Sequence, residues 1–153
     1  MITFNNQNIK FTLKNRSLLK QWIQNIVEKK KCKAGEISFI FCSDEALLEI
    51  NQQYLKHNTY TDIITFDYSK EKKNSHTPLL MGEFISGDIF ISIDRVGENA
   101  KKFSKSFENE LHRVMIHGVL HLLGFTDKTK TTKAEMTKEE DICLKKLRKQ
   151  EIK

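Results

Sequence analysis

Apolar side chains recur at helical spacing between Asn15 and Lys31, at Leu18, Leu19, Trp22, Ile23, Ile26 and Val27, and this pattern predicts an amphipathic helix. Gly35 follows as a break, and the run from Ile37 to Cys42 predicts a strand. Ser43 or Asp44 is placed to cap a second helix, anchored to a core by Leu47, Leu48, Ile50 and Leu55. A short β-branched segment, Asp62 to Phe66, predicts another strand. Glu83 to Ile93 predicts one strand or a bent pair, with Gly87 at the bend. Asp94 is placed to cap a helix reaching about Phe103.

Two further helices complete the pattern. The first runs from about Phe107 to Leu123, apolar on one side through Leu111, Val114 and Leu120, with Gly124 placed to end it. The second, roughly Thr132 to Lys149, is amphipathic through Met136, Ile142, Cys143 and Leu147, and Thr132 with Glu135 fits a capping box. Ser69 to Pro78 is polar and lysine-rich, holds the only proline, and predicts an exposed loop. Together these elements predict an α+β fold: a small mixed β-sheet with helices packed on it.

A length of 153 residues suits a single domain spanning 1–153. With 39% hydrophobic and 30% charged residues, the composition is that of a folded globular chain and excludes disorder. Cys32, Cys42 and Cys143 are odd in number and form no Cys-x-x-Cys pair, which disfavours a disulfide framework and fits a reducing compartment. The first residues show no basic segment followed by a long apolar run, and no apolar stretch is long enough to span a bilayer. A cytoplasmic location is therefore expected. The 26 basic and 20 acidic residues leave a net charge of +6, which raises the expectation of a polyanionic partner. The bland alternative is that lysines such as Lys29, Lys30, Lys31 and Lys33 solvate helix faces.

The informative segment is His117-Gly-Val-Leu-His-Leu-Leu-Gly-Phe-Thr-Asp127. Four residues of helix turn by about 400°, so His117 and His121 project from one face a turn apart and can reach a single metal ion. Gly124 releases the chain, and the segment to Asp127 is long enough to double back with a third ligand. Two imidazoles and a carboxylate suit a divalent transition metal, with Zn2+ the default, and three protein ligands leave a position open for chemistry. Two histidines at this spacing on an apolar helix can instead be core histidines. His112 lies about 140° around the helix from His117 and is expected at the surface or supporting the ligands. His57 and His76 lie in loop-like sequence. The His-Glu-x-x-His pattern of zinc peptidases has its general base where this chain has Gly118, which disfavours proteolysis by that route. Glu83, Asp88 and Glu110 are candidate bases.

This segment resembles the signature of the YbeY family of bacterial endoribonucleases and rRNA maturation factors, His-Gly-x-x-His-Leu-x-Gly-aromatic-Asp-His. Other segments match in order: Asn51-Gln-Gln-Tyr54, Thr61-Asp-Ile-Ile-Thr-Phe66, Gly87-Asp-Ile-Phe-Ile-Ser92 and Glu135-Met136. The resemblance runs from about residue 35 to the end. It implies a metal-dependent hydrolase that cuts single-stranded RNA, with 16S rRNA and the ribosome as partners in 3′-end maturation and quality control. It also implies His117 and His121 as catalytic metal ligands. The family's third ligand is a histidine, and its position is held here by Asp127, which adds negative charge and lowers the metal's Lewis acidity. The arginine that follows the family tyrosine is Leu55 here, with Lys56 and His57 as neighbouring cations. Tyr54, Tyr60 and Phe66 are candidates to stack on bases. Three other readings stay open: a metallohydrolase of another substrate class, a non-enzymatic ribosome-assembly factor with a structural metal, and, more remotely, an iron oxygenase.

Overall fold

The computed structural model describes residues 1–69 and 82–152. In chain order the elements are β1 (Ile2–Asn6), α1 (Arg16–Lys29), β2 (Lys33–Cys42), α2 (Asp44–Tyr54), β3 (Ile63–Asp67), β4 (Phe84–Ser92), α3 (Ile93–Lys102), α4 (Phe107–Leu122) and α5 (Lys130–Ile152). The strands form one mixed sheet in the order β1-β2-β4-β3, as the α+β expectation required. β1, β2 and β4 run parallel, and β3 pairs antiparallel with β4, Thr65 opposite Ile89.

The alternation of strand residues divides the molecule into two layers. Ile37, Phe39 and Phe41 of β2 and Ile85, Ile89 and Ile91 of β4 join α1, α4 and α5 in the main core. On the other face, Leu47 of α2 packs with Ile64 and Phe90 in a smaller cluster. The buried Trp22 of α1 donates its indole N–H to the Cys143 carbonyl of α5 at 2.8 Å, which ties two helices of the main layer together. α4 contacts both the sheet and α5. Its Gly118 makes the close approach possible: a Cβ there would lie 2.8 Å from Ile89 Cγ2 and 3.1 Å from Ile63 Cδ1.

Several local expectations need correction. β1 carries no sequence signal distinct enough to have been predicted; it exists because Ile2 and Phe4 find a place beside β2. Gly35 does not break the chain but lies within β2, at a register irregularity between Ala34 and Ile37. Gly87 does not bend β4, which is one continuous strand; its missing side chain admits the Phe66 carbonyl, 2.4 Å from where a Cβ would sit. Ser92, not Asp94, caps α3, accepting from Arg95 N at 3.1 Å. Thr129, not Thr132, opens α5, its hydroxyl accepting from Thr132 N at 3.1 Å. Leu55 anchors nothing: it terminates α2 and is 45% exposed. Ser43 caps α2 as expected. The expected loop from Ser69 to Pro78, with His76, lies outside the described residues from position 70 onward.

Candidate metal centre

Helical spacing and a helix stop together build the site. His117 and His121 stand on successive turns of α4 with their Nε2 atoms 3.1 Å apart. The helix then ends in a paired-bond cap: Gly124 N donates to His121 O and Phe125 N to Leu120 O, both at 3.0 Å. Gly124 takes φ +106°, a conformation that a side chain would strain. The turn is held from outside by Lys30, whose Nζ lies 5.2 Å from the Phe125 ring centre. The chain therefore folds back and delivers Asp127, with Oδ2 3.3 Å from His117 Nε2 and Oδ1 3.7 Å from His121 Nε2.

These separations test whether a metal fits. Three donors, each about 2.1 Å from a tetrahedral ion, stand about 3.4 Å from one another. The two Nε2 atoms, 3.1 Å apart, and the nearest Asp127 oxygens, Oδ2 at 3.3 Å from His117 and Oδ1 at 3.7 Å from His121, stand close to that separation. One ligand atom from each residue lies within 4.8 Å of the others. The donor set, two imidazole nitrogens and a carboxylate, is that of borderline divalent metals. Asp127 is 39% exposed, so the outer side of the site opens to solvent.

The three side chains line a cleft of about 1000 Å³ between α4, the β3 edge and the start of α5. Arg113 and Lys133 bring positive charge to the lining, with His57 beside Leu55. Asp62 and Glu110 face the same space. Burial raises the Asp62 carboxyl pKa against the opposing pull of the His117 charge, and burial with the Asp62 charge raises that of Glu110.

His117 has a second partner. Its Nδ1 lies 2.5 Å from Glu140 Oε2, and Glu140 Oε1 accepts from Arg113 Nη1 at 2.8 Å. Arg113 also reaches Asp141 Oδ1 through Nη2 at 2.6 Å. Burial pulls the His117 pKa down, but the hydrogen bond and charge of Glu140, then the charges of Asp127 and Asp62, outweigh it and the net shift is upward.

The structure brings all three expected ligands together. Of the three candidate bases only Glu110 lines the cleft; Asp88, in β4, instead accepts from the Tyr68 hydroxyl at 2.6 Å. His112 is not at the surface or among the ligands' supports: it is buried, edge-on to Trp22 at 6.2 Å between ring centres. Gly118 points at the sheet, so the position of the peptidase base is filled by Ile89 and Ile63. Tyr54 and Tyr60 are exposed and Phe66 is half-buried against Tyr54. Sequence reasoning missed Glu140, Arg113 and Asp62. Arg113 could have been found, since it stands one turn before His117 on the same helix face. Nothing in the spacing of Glu140 pairs it with α4.

The family model described as Endoribonuclease YbeY matches residues 1–148. Among similar proteins, Endoribonuclease YbeY of Flavobacterium psychrophilum is 46% identical over 145 residues, covering 95% of each chain. That of Cytophaga hutchinsonii is 44% identical over 143 residues, covering 94% of this chain and 93% of the relative. The solution structure of TM1509 from Thermotoga maritima superposes with a TM-score of 0.59 at 29% identity, covering 98% of this chain and 93% of that one. With its whole length matched in this way, the chain belongs to the Endoribonuclease YbeY family.

Proposed function

We propose that this chain is a metal-dependent endoribonuclease, acting as one domain on single-stranded RNA in 16S rRNA 3′-end maturation and ribosome quality control in the cytoplasm. The observation that carries the reading is the convergence of His117, His121 and Asp127, one ligand atom from each within 4.8 Å of the others, inside a solvent-open cleft, in a chain whose relatives are endoribonucleases.

His117 Nε2, His121 Nε2 and an Asp127 oxygen would hold one divalent ion, for which we assign Zn2+. When bound, that ion supplies Lewis-acid polarisation of a phosphoryl oxygen and activation of water. The chain's own residues supply the rest. Lys133 lines the path that a phosphodiester backbone would follow, where its positive charge offsets phosphate repulsion, and His57 lines the same cleft. Asp62 and Glu110, their carboxyls held toward the protonated form by burial, are placed to hold or give up a proton at the cleft wall. The open cleft, whose lining mixes polar and apolar groups, suits an unpaired strand, and exposed Tyr54 and Tyr60 offer faces for bases beyond it. Membrane partners are not part of this reading; among the described residues no helix is long and apolar enough to cross a bilayer.

The test is cleavage of a single-stranded oligoribonucleotide carrying the 16S 3′ end, with its duplex as control and metal content measured in the same sample. Cutting of the single strand alone, lost in His117→Ala and His121→Ala, is expected. Zinc-loaded wild-type protein that leaves the strand intact would refute the proposal.

A further inference from the structure

We infer that Glu140 is a positioning residue for the metal centre: it accepts the His117 Nδ1 proton, and so presents the unprotonated Nε2 to the ion. The inference rests on the metal-binding reading above and extends the site to α5. An imidazole can ligate through a nitrogen only when that nitrogen carries no proton, and the partner of the other nitrogen decides which one that is. Here the choice is made from outside α4. Glu140 Oε2 lies 2.5 Å from His117 Nδ1, on the side of the ring away from Nε2, His121 and Asp127. The carboxylate is itself fixed: its side chain is only 8% exposed, and its other oxygen accepts from Arg113 at 2.8 Å. Arg113 is held in turn by Asp141 at 2.6 Å. A buried carboxylate is costly unless its oxygens are satisfied, and both Glu140 oxygens are used, one on the imidazole and one on the guanidinium.

The arrangement also explains why a charge pair is buried between α4 and α5. Arg113 and His117 are one turn apart on α4 and meet a single side chain of α5, so helix docking and ring orientation are one event. Docking alone would not require an imidazole in the network; the ring makes Glu140 part of the site.

Zinc affinity, measured by competition with a chromogenic chelator, tests this. Glu140→Ala is expected to lower affinity by about 10- to 100-fold. Glu140→Gln, whose amide oxygen can still accept from Nδ1, is expected to recover most of that loss. Asp141→Asn loosens Arg113 without touching the ring and is expected to stay within about threefold of wild type. A folded Glu140→Ala protein with wild-type affinity overturns the inference, as does an Asp141→Asn loss equal to that of Glu140→Ala. The wild type gives a check that needs no variant. In zinc-loaded protein, long-range proton–nitrogen NMR is expected to place the His117 proton on Nδ1, in a downfield, exchange-protected resonance. A proton on Nε2 overturns it. Wild-type protein that takes up no zinc sinks the metal-binding reading and this inference together, whereas uptake that ignores Glu140 sinks this inference alone.

Discussion

Two histidines five residues apart on α4 have opposite fates. His112 is buried against Trp22, and its Nδ1 has no hydrogen-bond partner among the described residues. Burial, with the nearby Arg148 charge, lowers its pKa and so disfavours its charged form. His117 is also largely buried, but it meets Glu140 and Asp127, and its pKa rises. The helix supplies the same backbone to both. What separates them is the group each one touches: His112 meets the indole of α1, whereas His117 meets carboxylates from α5 and the turn after α4. Burial thus makes one histidine part of a core and the other part of a site, according to whether a carboxylate touches its ring.

The sharpest way to break this contrast is to remove each ring. His117→Ala should lower zinc affinity by about 100-fold or more and abolish RNA cleavage. If cleavage persists, the two histidines are not functionally distinct. Asp127→Ala should cost about tenfold or more in zinc affinity, because two imidazoles alone hold a divalent ion poorly, while Asp127→His should restore binding. Unchanged affinity in calorimetric titration of Asp127→Ala would mean that another group completes the site. His112→Ala should behave in the opposite way, with zinc affinity preserved and stability reduced by about 2–4 kcal/mol in urea unfolding, as for other large-to-small core changes.

A smaller effect concerns the face of α4 between the two rings. Gly118→Ala puts a methyl 2.8 Å from Ile89 and should cost about 1–3 kcal/mol by pushing the helix off the sheet. Its melting temperature should fall even in metal-free protein. The finest test is the pH dependence of stability after zinc is stripped. His112 is lowered in the folded state, so its contribution is present above its unfolded value of about 6.5 and is lost as pH falls through the folded one. His117 is raised, so its contribution is present below about 6.5 and is lost as pH rises through the folded value. Urea midpoints against pH should lose their alkaline-side decline in His117→Ala and keep it in His112→Ala. Equal profiles would remove the distinction.

The same contrast marks what could be read from sequence. His117, His121 and Asp127 were legible because a helix period and a glycine stop fix their mutual positions within eleven residues. His112 was misplaced because helical angle says which way a ring points but not what waits there; Trp22 is ninety residues away in the chain. Glu140 was invisible for the same reason, its meeting with His117 depending on how α5 docks. Strand β1 was missed because a five-residue segment at the chain's start owes its existence to the neighbour it pairs with. The caps of α3 and α5 were shifted by two or three residues, since serine, threonine and aspartate cluster at both starts and only backbone geometry selects among them.

Trp22 is the protein's sole tryptophan, and its indole N–H bonds to the α5 backbone one turn beyond Glu140. The molecule therefore carries an intrinsic fluorophore on α1, bonded to the helix that holds Glu140. Emission wavelength and quenching by acrylamide would follow the seating of α5 directly, without a label, while zinc is added or withdrawn.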